Sequence, residues 1–137
     1  MLATVVAACG SSGGGPRLGD TFVLGVGDTT TIGDLNLLVR FAQVAADSRC
    51  PTQGACVWAG DAAVVLEITP YLAASRFDTL HTTLDPQSVD VGKVELHLVL
   101  LDPYPVTAGS IPLRAYRLTL VAREIPLDQA ASDRRTL

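Results

Sequence analysis

Three cysteines, two histidines, a few loop carboxylates and one Arg/Trp pair are the residues of this chain with chemistry in them. Cys50 and Cys56 stand in the run Asp47-Ser-Arg-Cys-Pro51 followed by Cys56-Val-Trp-Ala-Gly60. The C-x5-C spacing is not that of a zinc site, and no second pair or nearby histidine completes four ligands. Outside the cytoplasm two thiols this close oxidise to a disulfide; the other reading is a reactive catalytic thiol. His97 shares an alternating face with Lys93 and Glu95, the setting of a solvated side chain, and His81 precedes Thr82-Thr83. There is no strand-to-helix G-x-S-x-G elbow, no S-x-x-K, no H-E-x-x-H and no P-loop. A Ser–His–Asp site is defined by geometry and could still assemble in space. Asp47, Asp61, Asp85 and Asp90 could together offer oxygen ligands to Ca²⁺. The plainer expectation is that they cap turns, with no metal and no cofactor.

Composition bounds the partners. The chain has 137 residues, one domain's worth, with 48% hydrophobic and 18% charged residues. Ten Lys+Arg against fourteen Asp+Glu give a net charge of −4. Phosphate binding needs a basic face, so nucleic acid is excluded as the main partner. No run reaches the ~18 apolar residues of a membrane helix.

The N-terminus carries an address. Val6-Ala7-Ala8-Cys9 has the form of a bacterial lipobox: a branched apolar residue, two small ones, then the cysteine that takes the lipid. A Gly/Ser stretch, Gly10 to Pro16, follows as a tether rather than a phosphate loop, since no strand precedes it. Only eight residues precede Cys9 and none is basic, so a longer signal is expected upstream. The expected organisation is a signal remnant over 1–8, lipidated Cys9 and tether over 9–19, one domain over 20–127 and a polar tail over 128–137. Lipid on Cys9 would tie the chain to a membrane in an oxidising compartment, periplasm or cell surface. That leaves Cys50 and Cys56 to pair.

The elements that must position these residues are strands. Leu35, Leu37, Val39 and Phe41 share one face; so do Ala62, Val64, Leu66 and Ile68; Val94, Leu96, Leu98 and Leu100; and Tyr116, Leu118, Leu120 and Ala122. Period two with one apolar face marks half-buried strands. Weaker strands are expected over 21–26, 30–32 and 79–84, with one helical turn over 70–76. Turn signals separate them at Gly27-Asp28, Gly33-Asp34, Asp85-Pro86, Val91-Gly92 and Asp102 to Pro105. About seven short strands make an all-β fold, an antiparallel β-sandwich or small barrel.

Read whole, the central motif is D-S-R-C-P-x4-C-x-W-x-G. With the lipobox, Phe22-Val-Leu-Gly25, Pro103-Tyr-Pro105 and Tyr116-x-Leu-x-Leu120, it resembles a family of small bacterial lipoproteins of the cell envelope. The resemblance spans most of 20–125. It implies an exported β-domain with a Cys50–Cys56 bridge and implies no catalysis. Two readings of the motif stay open. In one, Asp47 makes an Asx-turn, Arg49 bridges Asp47, Asp61 or loop carbonyls, and Trp58 packs on the disulfide or sandwich edge. In the other, the bridge presents Arg49 and Trp58 as a rigid binding surface. If successive strands alternate in direction, the 47–60 segment and the 85–92 turn share one end, while the 102–112 loop lies at the other. The first end then gathers Asp47, Arg49, Trp58, Asp61, Asp85 and Asp90. The functional expectation is a lipid-anchored envelope module that binds a protein, glycan or small ligand. Alternatives are a secreted enzyme or enzyme inhibitor, and a structural accessory domain of an envelope complex.

Overall fold

The computed structural model describes residues 15–107 and 109–126. The signal remnant, Cys9, most of the tether and the polar tail lie outside the described residues. Eight strands form in order: β1 (Thr21–Gly25), β2 (Thr29–Ile32), β3 (Leu37–Asp47), β4 (Ala62–Thr69), β5 (Arg76–His81), β6 (Ser88–Val91), β7 (Val94–Asp102) and β8 (Arg117–Glu124). They make two four-stranded antiparallel sheets, β1-β8-β7-β6 and β2-β3-β4-β5. The sheets do not close on each other, so the fold is a sandwich and not a barrel.

Alternation decides which faces meet. β4 is the cleanest case: Ala62, Val64, Leu66 and Ile68 are fully buried, and the residues between them are half-exposed. Val39 and Phe41 of β3 and Leu80 of β5 join them from the same sheet. Leu96 and Leu98 of β7 and Leu118, Leu120 and Ala122 of β8 fill the core from the other. Side chains from two inner faces interdigitating in this way are the stabilising unit of a sandwich.

Bulges break the alternation where the sequence reading assumed it continued. The register of β7 on β8 shifts between Leu98 and Leu100. The extra residue flips the phase. Leu100, expected inside, is 49% exposed, and Leu101 is buried instead. Leu35 likewise sits in a short 3₁₀ turn (Gly33–Leu35) and is exposed rather than facing the core.

The eighth strand carries the larger correction. Ser88–Val91 was expected as part of a turn, but it pairs with β7 as a hairpin closed at Gly92-Lys93, with Gly92 at φ 63°. The signal was present: Val89 and Val91 alternate with Ser88 and Asp90 on one side of a two-residue turn, as Val94 and Leu96 do on the other. One added strand reverses the direction of everything after it. The 103–116 loop therefore lies beside the 48–61 segment, not at the opposite end. Thr52 and Gln53 donate backbone bonds to the carbonyls of Pro105 and Val106 at 3.0 and 2.9 Å. The 70–75 segment is a turn rather than a helical one, and it leads directly into β5.

Leu66→Ala should cost about 2–5 kcal/mol in denaturant unfolding, because it opens a cavity between the sheets. Val65→Ala, one residue along on the outer face, should cost well under half of that.

Candidate functional site

Beyond the sheet, β3 and β4 continue as a narrow ribbon. Ser48 N–H donates to the Asp61 carbonyl at 2.7 Å, and Cys50 N–H to the Ala59 carbonyl at 2.9 Å. The Ser48 hydroxyl adds a bond to the Asp61 carbonyl at 2.8 Å and accepts one from Asp61 N–H at 3.1 Å. A Cys50–Cys56 disulfide, Cα atoms 5.9 Å apart, closes the tip. Gly60 adopts φ 76°, and a Cβ there would run into the Ser48 carbonyl. Only glycine lets the two sides of the ribbon approach this closely.

The ribbon is fastened to the sandwich by Arg49, the one buried charged residue among the described residues, at 7% exposure. Its Nε and Nη2 donate to the two oxygens of Asp47, each at 2.8 Å. Its Nη1 donates to the Leu101 carbonyl at 2.7 Å, and Nη2 also to the Pro103 carbonyl at 3.0 Å. The Tyr104 ring covers the guanidinium, with its centroid 5.2 Å away. The Tyr116 hydroxyl donates to Asp47 Oδ2 at 2.8 Å. The Arg49 backbone N–H reaches Asp47 Oδ1 at 3.3 Å, which is the expected Asx-turn. A planar fork can meet both carboxylate oxygens and two carbonyls at once; an ammonium, with three donors, cannot meet all four.

Electrostatics follow from this packing. Burial raises the Asp47 carboxyl, but hydrogen bonds from Arg49 and Tyr116 outweigh it and hold the group below the ordinary carboxylate value. Burial, and then the bond and charge of Asp47, push the Tyr116 hydroxyl up to about 12.

The remaining expected residues divide. Trp58 does not pack on the disulfide: it is 79% exposed, and Val57 beside it 87%. Arg49 does the opposite, and is a brace rather than a contact surface. Asp61 joins His81 Nδ1 at 2.7 Å and accepts the N–H groups of Thr83 and Leu84. Burial raises the Asp61 carboxyl, and these three bonds more than reverse the effect. The pair has the form of the orienting half of a catalytic dyad. Among the described residues, no hydroxyl or thiol hydrogen-bonds the other histidine nitrogen, and Asp61 acts to fasten the 82–87 loop. Asp85 is exposed in that loop, whereas Asp90 is exposed on β6 towards the other end, beside Glu95 in the register. The four carboxylates thus do not converge. No group of three His, Cys, Asp or Glu side chains gathers among the described residues.

The residue that sequence reasoning missed is Tyr116. It was legible as an inward position at the start of the last alternating run, just before β8, and a buried tyrosine hydroxyl requires an acceptor. Nothing in the linear order shows that the acceptor is Asp47. A recess of about 360 Å³ opens beside this cluster, lined by Asp47, Arg49, Pro51, Pro105, Ile111 and Tyr116 among others. No family model, curated protein or solved structure matches the sequence.

Removing one partner of a buried pair strands the other. Arg49→Met should therefore destabilise the domain by about 3–5 kcal/mol, while Trp58→Ala should stay within about 0.5 kcal/mol in the same melts.

The pH dependence has two limbs. Asp47 and Asp61 are depressed in the folded state, so their contribution is complete above the ordinary value of 3.8 and is lost as pH falls below it. Tyr116 is raised, so its contribution is complete below 10.0 and is lost as pH rises towards about 12. Thermal melts across pH should show both losses, and Tyr116→Phe should lack its share of the alkaline one.

Proposed function

We propose that this chain is an exported, lipid-anchored β-sandwich that serves as a binding module in the bacterial cell envelope, with the loop end as its working surface. One observation carries the reading. In the Asp47–Gly60 segment nearly every distinctive residue has an internal task. Asp47 and Arg49 pair, Ser48 ties the ribbon, Cys50 and Cys56 close it, the Pro51 carbonyl accepts from Gly54 N–H, and Gly60 takes the left-handed turn. Trp58, with its neighbour Val57, instead turns its side chain to solvent.

A large aromatic held out on a rigid loop is what an anchor residue at an interface looks like, and the ordering cost of binding is already met by the fold. The disulfide is consistent with an oxidising, extracytoplasmic compartment. The Val6-Ala7-Ala8-Cys9 sequence supports lipidation at Cys9, which with more than one acyl chain anchors stably. The partner is an envelope protein, a glycan or a small ligand.

Two measurements test this. In cells, Cys9→Ser should move the protein from the membrane to the soluble fraction; continued membrane association would contradict the anchor. A photo-crosslinking residue at position 57 should yield discrete adducts in intact envelopes, and adding Trp58→Ala should abolish them at unchanged melting temperature. The absence of adducts at position 57 would instead favour an accessory domain with no working surface at this end.

A further inference from the structure

The loop end has a second property that the exposure of Trp58 does not by itself require. Residues 50–60 and 103–113 contain no Asp, Glu, Lys, Arg or His. These are the two loops that the Thr52–Pro105 and Gln53–Val106 backbone bonds hold side by side. In a chain with 18% charged residues, two adjacent loops of this length without one charge form an uncharged tip. Its exposed large apolar side chains are Val57, Trp58, Tyr104, Val106 and Leu113, with the uncharged polar Thr52, Gln53, Thr107 and Ser110 exposed beside them. Of the charges nearest in sequence, Arg49 is buried and Asp61 half-buried, while Asp102 and Arg114 are exposed where the second loop begins and ends.

The opposite end makes an instructive contrast. Tyr71 and Leu72 are exposed there too, at 62% and 87%. Lys93 lines the same hollow as Tyr71, however, and Arg76 reaches across to the Asp90 carbonyl at 2.8 Å. That end sets charge among its apolar residues; loops 50–60 and 103–113 carry none, although Asp85, Asp102 and Arg114 are exposed elsewhere at the loop end.

We infer that the uncharged tip docks into the headgroup–acyl boundary of a lipid bilayer, with Val57 and Trp58 as the inserting residues. The inference rests on the reading that the loop end is the working surface, and puts a lipid surface in place of the protein, glycan or small ligand proposed there as its partner. Three features favour a lipid surface over a protein. A charge-free tip loses no ion solvation on entering the boundary, where a buried charge would be costly. Tryptophan and tyrosine are the residues that prefer this layer, apolar at one side and wet at the other. Val57 and Trp58 also stand exposed on the ribbon tip, away from the recesses that Tyr104 and Leu113 line. A fluid surface can receive such a shape without the complementarity and polar rim of a protein interface. With no basic residue in the tip, the headgroups it suits are zwitterionic.

The chain contains a single tryptophan, so its fluorescence reports on Trp58 alone. The full chain carrying Cys9→Ser, oxidised, is titrated with phosphatidylcholine vesicles, some containing brominated acyl chains. The expected result is a blue shift of Trp58 emission and quenching by the brominated lipid, both unchanged between about 0.1 M and about 1 M salt. Val57→Asp should abolish both at unchanged melting temperature. Three results would overturn the inference: an emission that saturating vesicles do not move; a response confined to anionic vesicles and removed by salt; or a blue shift that tracks protein concentration without lipid, which identifies a second copy as the occupant. None of these touches the crosslinking test at position 57, so the broader reading stands or falls separately.

Discussion

A guanidinium cannot be buried alone. Its desolvation exceeds what a small domain can absorb unless each face of the fork meets an acceptor. At Arg49 that requirement organises one whole end of the molecule. It fixes Asp47 at the last position of β3, and it draws the Leu101 and Pro103 carbonyls to the same point. It brings Tyr104 over the charge and Tyr116 under the carboxylate. Three stretches distant in sequence, around residues 47–49, 101–104 and 116, are thereby held together by one side chain. Among the described residues no buried side-chain nitrogen or oxygen is left without a partner. A half-satisfied cluster of this kind would be worse than an apolar one.

The consequence is a separation of tasks between neighbours in sequence. Arg49 is inward and rigid, and Trp58 is outward. The disulfide and the Gly60 turn stiffen the ribbon between them, so an exposed aromatic can be displayed without the mobility that usually accompanies a loop of this length. Arg and Trp are both favoured at interfaces, which is why their types alone suggest one shared surface. Burial assigns them to opposite roles.

The strands were legible because their period is written in the residues: Ala62 to Thr69 reads as a strand and is one, buried on alternate positions. What failed was local and had local causes. The bulge at Leu98/Leu100 leaves no mark in an unbroken run of Val and Leu, so the phase was carried one residue too far. Ser88–Val91 is short and follows Asp85-Pro86, and turn chemistry on both sides masked its alternation. Missing that one strand moved the 103–116 loop to the wrong end and hid the cluster around Arg49. The acceptors of Arg49 are backbone carbonyls 52 and 54 positions away, and any residue type can supply a carbonyl. No pattern in the sequence could have named them, whereas the pairing with Asp47, two positions away, was within reach.

The central claim is that Arg49 holds the two loops together. Native-state amide hydrogen exchange tests it at the bonds that join them, Thr52 N–H to Pro105 and Gln53 N–H to Val106. Both amides are expected to exchange slowly in the unmodified chain. In Arg49→Lys, which keeps the charge but loses the fork, they should exchange fast while the β4 amides stay protected. Equal protection of Thr52 and Gln53 in the two proteins would contradict the claim.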